Sequence, residues 1–196
     1  MRRRDQLVTT LMAILFTSIP VFTQSTDYMK DPRDGKIYQV VELAGQWWMA
    51  ENLAYDTAAS YLYDNRNGNE KVYGRLYEWQ VAIKVCPEGW HLPSAEEWDR
   101  LIDYFGGTSV AGAFLNESDN LPEESTKKKP GFNALPAGYR DPFGNYGNLE
   151  QFAYFWTSTE GDSLAAVRRL IAADGKSIGG AYGNKTSGYS VRCIKD

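Results

Sequence analysis

Two cysteines, Cys86 and Cys193, and a single histidine, His91, are the residues of this 196-residue chain best equipped for chemistry. Cys86 and His91 both fall in CPEGWHLPSAEEWDRLI, which runs from Cys86 to Ile102. A thiolate beside an imidazole base is a nucleophile. Cysteine and histidine are also ligands of structural zinc, but zinc wants four, so a carboxylate would have to complete the set. In an oxidising compartment two cysteines in one domain pair as a disulfide, and the histidine is then packing between Trp90 and Leu92 with its ring nitrogens on backbone. Glu96-Glu97 is a paired acid, but it lies on an amphipathic helix face where solvent explains it. No nucleophile, base and orienting group come together as a set.

The N-terminus bears on the choice. Arg2, Arg3 and Arg4 precede an apolar run from Leu7 to Phe22, which ends in the polar stretch TQSTD. The run is short for a membrane span, which needs about 20 apolar residues. It reads as an export signal over 1–23, cleaved near Thr23 or Gln24, with an uncleaved anchor as the alternative. Export favours the Cys86–Cys193 disulfide, which closes a loop of about 100 residues for roughly 4–5 kcal/mol in the chain-entropy model. The leader holds three of the 21 basic residues and one of the 25 acidic ones, so the remainder has net charge −6. Such a chain is not drawn to nucleic acid or anionic lipid by its field, and no membrane-spanning segment is expected in it.

The elements that must position these residues follow from pattern. A polar lead-in covers 24–33. Lys36–Leu43 and the stretch from Gln46 read as a hairpin, and 56–72 as loop. Tyr73–Ile83 reads as a helix with Leu76, Trp79, Ala82 and Ile83 on one side. Ser94 with Glu97 forms a capping box, and Trp98, Leu101, Ile102 and Phe105 make the apolar face of a second helix closed by Gly106-Gly107. Ser109–Asn116 suggests a short third helical turn, and 117–131 an exposed insertion. Strands are expected at Phe132–Arg140, where Pro136 limits pairing, and at Tyr154–Glu160. Leu164–Ala172 and Lys176–Tyr182 form a hairpin about Asp174-Gly175. Asp141–Gln151 reads as turn-rich loop. The final strand puts Val191 and Cys193 on one face and Arg192 and Ile194 on the other. The class is α+β, in one domain over 34–196.

In order, DGKIYQVVELAGQWWMAENLAY, YGRLYEW, CPEGWHLPSAEEW, GFNALPAGYRD, YFWTSTE and GYSVRCIKD resemble the Fibrobacter succinogenes major paralogous domain, a family of exported bacterial domains. The resemblance covers about residues 34–196. It implies a fold similar to the C-type lectin-like and formylglycine-generating-enzyme group, with two helices on a looped antiparallel sheet and adjacent terminal strands. It also supports the Cys86–Cys193 bridge. It implies no activity. The E-P-N or Q-P-D and W-N-D motifs of calcium-dependent lectins are absent, and Cys193 is alone near the C-terminus, without the paired redox cysteines of the sulfatase-activating enzymes.

The expected function is therefore a non-enzymatic binding or adhesion module, periplasmic, at the cell surface or extracellular, with a glycan or protein ligand. A structural subunit of a surface assembly and a thiol-dependent enzyme are the alternatives. Candidate ligand-binding residues are Tyr139, Arg140, Asp141, Tyr146, Asn148, Trp156, Tyr182 and Asn184. Aromatic faces can stack on sugars or side chains, and Arg and Asn direct hydrogen bonds. The plainer reading makes Trp156 and Tyr139 core and the Asn residues turn formers. No cofactor is expected, although Asp141, Asn145 and Asn148 offer oxygens for a structural Ca²⁺.

Overall fold

The computed structural model describes residues 25–116, 131–173 and 175–196. The expected leader, nearly all of the 117–131 insertion, and Asp174 lie outside them. Among the described residues no helix is long and apolar enough to cross a membrane.

Two five-stranded sheets carry the fold. In the first, β1 (Thr26–Lys30), β2 (Ile37–Leu43), β3 (Gln46–Met49), β12 (Ile194–Lys195) and β6 (Trp90–His91) lie in that order, with every pair antiparallel. The second has the order β11 (Ile178–Asn184), β10 (Ala165–Ala172), β9 (Phe152–Glu160), β7 (Ala137–Arg140), β8 (Tyr146–Leu149). A two-stranded ladder pairs β4 (Ser60–Tyr61) with β5 (Leu76–Tyr77). The helices are α1 (Asn67–Tyr73), α2 (Trp79–Ala82), α3 (Ala95–Tyr104) and α4 (Ala111–Leu115). Mixed helices and sheets make the class α+β, as expected.

Several elements follow from local sequence. The β2–β3 hairpin turns on Ala44 and Gly45, both at positive φ (54° and 75°), which a two-residue turn needs to match strand twist. The N-terminus of α3 carries its full capping box. Ser94 Oγ accepts from the Glu97 N–H at 3.2 Å, and the Glu97 carboxylate accepts from the Ser94 N–H at 2.8 Å. Gly106 and Gly107, both at positive φ, follow the helix, and α4 occupies the expected third helical position.

Other expectations are corrected. The lead-in at 24–33 contains β1, which pairs along its whole length with β2. The stretch 56–72 holds β4, a 3₁₀ turn at Tyr63–Asn65 and most of α1 rather than only loop. Tyr73–Ile83 is not one helix. Gly74 breaks it at φ 70°, where a Cβ would lie 2.8 Å from the backbone oxygens of Asn52 and Leu53. Leu76 and Tyr77 then pair as strand, and only Trp79–Ala82 is helical. The 141–151 segment includes β8. Among the described residues there are four α-helices, where the sequence predicts two and a short third turn.

Among the described residues the core has two large parts, divided by the strands between them, and a small third cluster of Tyr63, Leu76 and Ala137. Tyr38, Val40, Met49, Trp156, Val191 and Cys193 belong to one. Val41, Leu43, Trp48, Trp98, Phe132, Phe155 and Ile194 belong to the other. Val40 and Val41 are adjacent yet both buried, because β2 is covered on both faces. The final segment alternates as expected, with Arg192 joining the side of Phe132 and Phe155. Arg192 is fully buried and donates to Asn52 Oδ1 at 2.6 Å, Met49 O at 3.1 Å and Asn133 O at 2.6 Å, and also to Phe132 O. The terminal strands share one sheet, although β12 lies beside β3 rather than β1.

Candidate functional site

Cys86 and Cys193 form a disulfide, with Cα atoms 5.8 Å apart and a separation of 107 positions in sequence. Both thiols are thereby consumed, and no free cysteine remains among the described residues. His91 is not the backbone-bonded filler expected. Its Nδ1 lies 2.5 Å from Asp196 Oδ1, and its Nε2 lies 3.2 Å and 3.3 Å from the Glu97 carboxylate oxygens. Its side chain is 42% exposed. Burial by itself would lower the imidazole pKa, but the hydrogen bonds to Asp196 and Glu97, with their charges, outweigh it and raise the value. The two carboxylates engage opposite ring nitrogens, so this is a charge clasp between β6, α3 and the residue after β12. No group of three or more His, Cys, Asp and Glu suited to a metal occurs among the described residues.

The β7–β8 hairpin collects most of the candidate residues. At its tip the Asp141 carboxylate accepts from the N–H groups of Phe143 and Asn145, each at 2.8 Å, and from the Asn145 side chain at 2.9 Å. The Asn145 amide first, together with these backbone donors, holds the Asp141 carboxyl below its usual range. The tip is thus tied internally while Phe143 stands 90% exposed on it. Beside the tip, at the Arg140–Tyr146 pair, the Arg140 guanidinium sits 3.9 Å over the Tyr61 ring. Tyr61 donates to Glu78 Oε1 at 2.7 Å, and that bond foremost raises the phenol pKa. Tyr146 packs on Tyr63, centroids 5.1 Å apart, and its hydroxyl meets Asn65 Oδ1 at 3.2 Å. The result is a half-exposed face of Tyr61, Arg140 and Tyr146, rimmed by Asn65 and Glu78, with Phe143 projecting from the tip.

The remaining candidates are elsewhere. Tyr139 packs edge-on against Tyr154 at 5.4 Å, and Asn148 donates to the Tyr154 hydroxyl at 2.7 Å. Trp156 is fully buried, with its indole N–H on Tyr77 O at 2.7 Å, so it is core and not a contact residue. Tyr182 and Asn184 lie on β11, the edge of the second sheet opposite β8. Tyr182 is 68% exposed, whereas Asn184 caps its own turn by accepting from the Thr186 N–H and hydroxyl. Of the three oxygen-bearing residues considered for calcium, Asp141 and Asn145 are hydrogen-bonded to each other at 2.9 Å, while Asn148 donates its amide to Tyr154.

Sequence reasoning missed Tyr61, Tyr63, Asn65, Glu78 and Phe143. Phe143 carried a usable signal: an aromatic between Pro142 and Gly144 in a turn has no strand or helix to bury it. The others lay in or beside segments assigned the wrong element.

No curated protein and no solved structure matches the chain. A family model described as the Fibrobacter succinogenes major domain matches residues 41–195, from within β2 through β12. The protein therefore belongs to the Fibrobacter succinogenes major domain family.

Proposed function

We propose that the protein is an exported, non-enzymatic binding module with a C-type lectin-like arrangement, and that the β7–β8 hairpin face is its contact surface. The observation that carries the reading is Phe143, almost wholly exposed on a tip that Asp141 holds by three hydrogen bonds. A large exposed apolar side chain on an ordered loop loses little freedom on binding, which favours recognition. Tyr61, Arg140 and Tyr146 add ring faces and directed donors beside it. The disulfide fits an oxidising compartment and leaves no thiolate for a thiol mechanism. The sharing of one sheet by β1 and β12 and the helices flanking the sheets support the lectin-like arrangement.

The test is a glycan and surface-protein array probed with the chain and with the double variant Arg140→Ala/Phe143→Ser. The wild type binds a ligand, and the variant, with unchanged Tm, loses it. Equal binding by the two removes the hairpin from the site, and silence of the wild type on both arrays removes the reading.

A further inference from the structure

The first sheet carries a second surface, on β3, β12 and β6. Trp48 pairs with Ile194, and Lys195 pairs with Trp90. That register sets Trp47, Lys195 and Trp90 in a row on one face of the sheet. All three line a single groove of about 240 Å³, with Asp27, Met29 and Val40 among the other lining residues. Both indoles are half-buried against the first core cluster, which holds them in place, while Lys195 is exposed. Neighbouring strands stand roughly 4.8 Å apart, so two indoles flanking β12 are about 10 Å apart. Lys195 forms no ion pair or side-chain hydrogen bond among the described residues. Its backbone oxygen accepts from the Gln46 side-chain amide.

We propose that this groove binds an unbranched acidic polysaccharide, with two of its rings stacked on Trp47 and Trp90 and the carboxylate of the ring between them on Lys195. In an extended chain, alternate pyranose rings repeat at twice the ring length, which suits two stacking faces separated by one strand. An indole takes the apolar face of a sugar ring, and its fixed packing keeps the ordering cost low. The ammonium lies where the intervening ring passes and has no partner among the described residues, so a carboxylate there gains a charge-assisted bond. The remainder of the chain is acidic, so attraction for the ligand is local to Lys195. Asp27, on the β1 side of the groove, disfavours a second acid there. The site is independent of the β7–β8 hairpin.

The experiment is calorimetry and tryptophan fluorescence on the full chain with a β-1,4-linked mannuronate hexamer and its carboxyl-reduced counterpart. The acidic hexamer binds and perturbs the fluorescence. The reduced hexamer binds about tenfold more weakly, the loss expected for one charge-assisted hydrogen bond. Lys195→Gln, an exposed change that leaves Tm unaltered, produces the same loss, and added salt weakens only the acidic ligand. Phe143→Ser leaves the affinity unchanged, so failure here is distinguishable from failure of the hairpin face. The proposal is overturned if neither hexamer binds at millimolar concentration, if the two bind equally, or if Lys195→Gln binds like the wild type.

Discussion

Two aromatic groups in this protein show what fixes a ring's role. Trp48, Trp98, Phe132 and Phe155 are all buried, with contacting centroids 5.1–5.9 Å apart and mostly edge-to-face. Tyr61, Tyr63 and Tyr146 also touch rings or cations, but the Tyr61 and Tyr146 hydroxyls end on Glu78 and Asn65. The first group closes the space between the sheets and α3, and its stabilisation comes from excluding water. Tyr61 and Tyr146 of the second keep one side wet over the buried Tyr63, because a phenol with a polar partner need not be buried. Aromatic content alone therefore does not distinguish core from contact surface. Nor does a polar partner alone, since the buried Tyr38, Tyr77 and Tyr154 have one too; exposure of the ring face does.

The strongest way to break the comparison is Trp98→Ala. It should cost about 3–5 kcal/mol by denaturant unfolding, the range for deleting a buried large aromatic. A loss below about 1 kcal/mol would show that this cluster is not the core. Next comes Cys86→Ser with Cys193→Ser, expected to cost about 2–5 kcal/mol. Mass spectrometry of the wild type should show the bridge intact, and the double variant should keep its hairpin-face binding wherever it remains folded.

The His91 clasp gives a smaller, pH-dependent effect. The folded-state pKa of His91 is raised above its ordinary 6.5, so its contribution is complete below that pH and disappears as pH rises through the folded value. Glu97 runs the other way. Burial would raise its carboxyl, but the Ser94 N–H foremost among the opposing causes, and then His91, pull it below its ordinary 4.5. Its contribution is present above that pH and falls away in acid. Arg100, 3.5 Å from Glu97, also faces the clasp. Stability measured against pH should therefore decline above pH 6.5, and His91→Asn should remove that decline while leaving the acid limb. A wild-type profile flat above pH 6.5 would contradict the clasp. The smallest effect is Phe143→Ser, which should change stability by less than about 0.5 kcal/mol, as an exposed site without structural contacts does. A larger loss would make Phe143 part of the fold.

Legibility in the sequence followed the range of the determining interaction. The cap of α3 and the β2–β3 turn are set within a few residues, and both were readable. The break at Gly74 is set by the approach of Asn52 and Leu53, more than twenty positions upstream, so the helical period of Leu76, Trp79 and Ile83 misled. The hairpin face was half legible. Arg140 and Tyr146 were named, but Tyr61 and Asn65 reach them from an element read as loop. Trp156 was misplaced because its strand is buried on both faces, with Phe155 in one cluster and Trp156 in the other, and no alternation marks an outer side.

The position of β12 constrains how this molecule comes into being. Ile194 fills the gap between β3 and β6, so the first sheet stays split until that residue is available. A growing polypeptide on the ribosome would hold β1, β2 and β3 apart from β6 until Ile194 emerges. Any product stopped short of Ile194 would expose the inner edges of both halves to other chains.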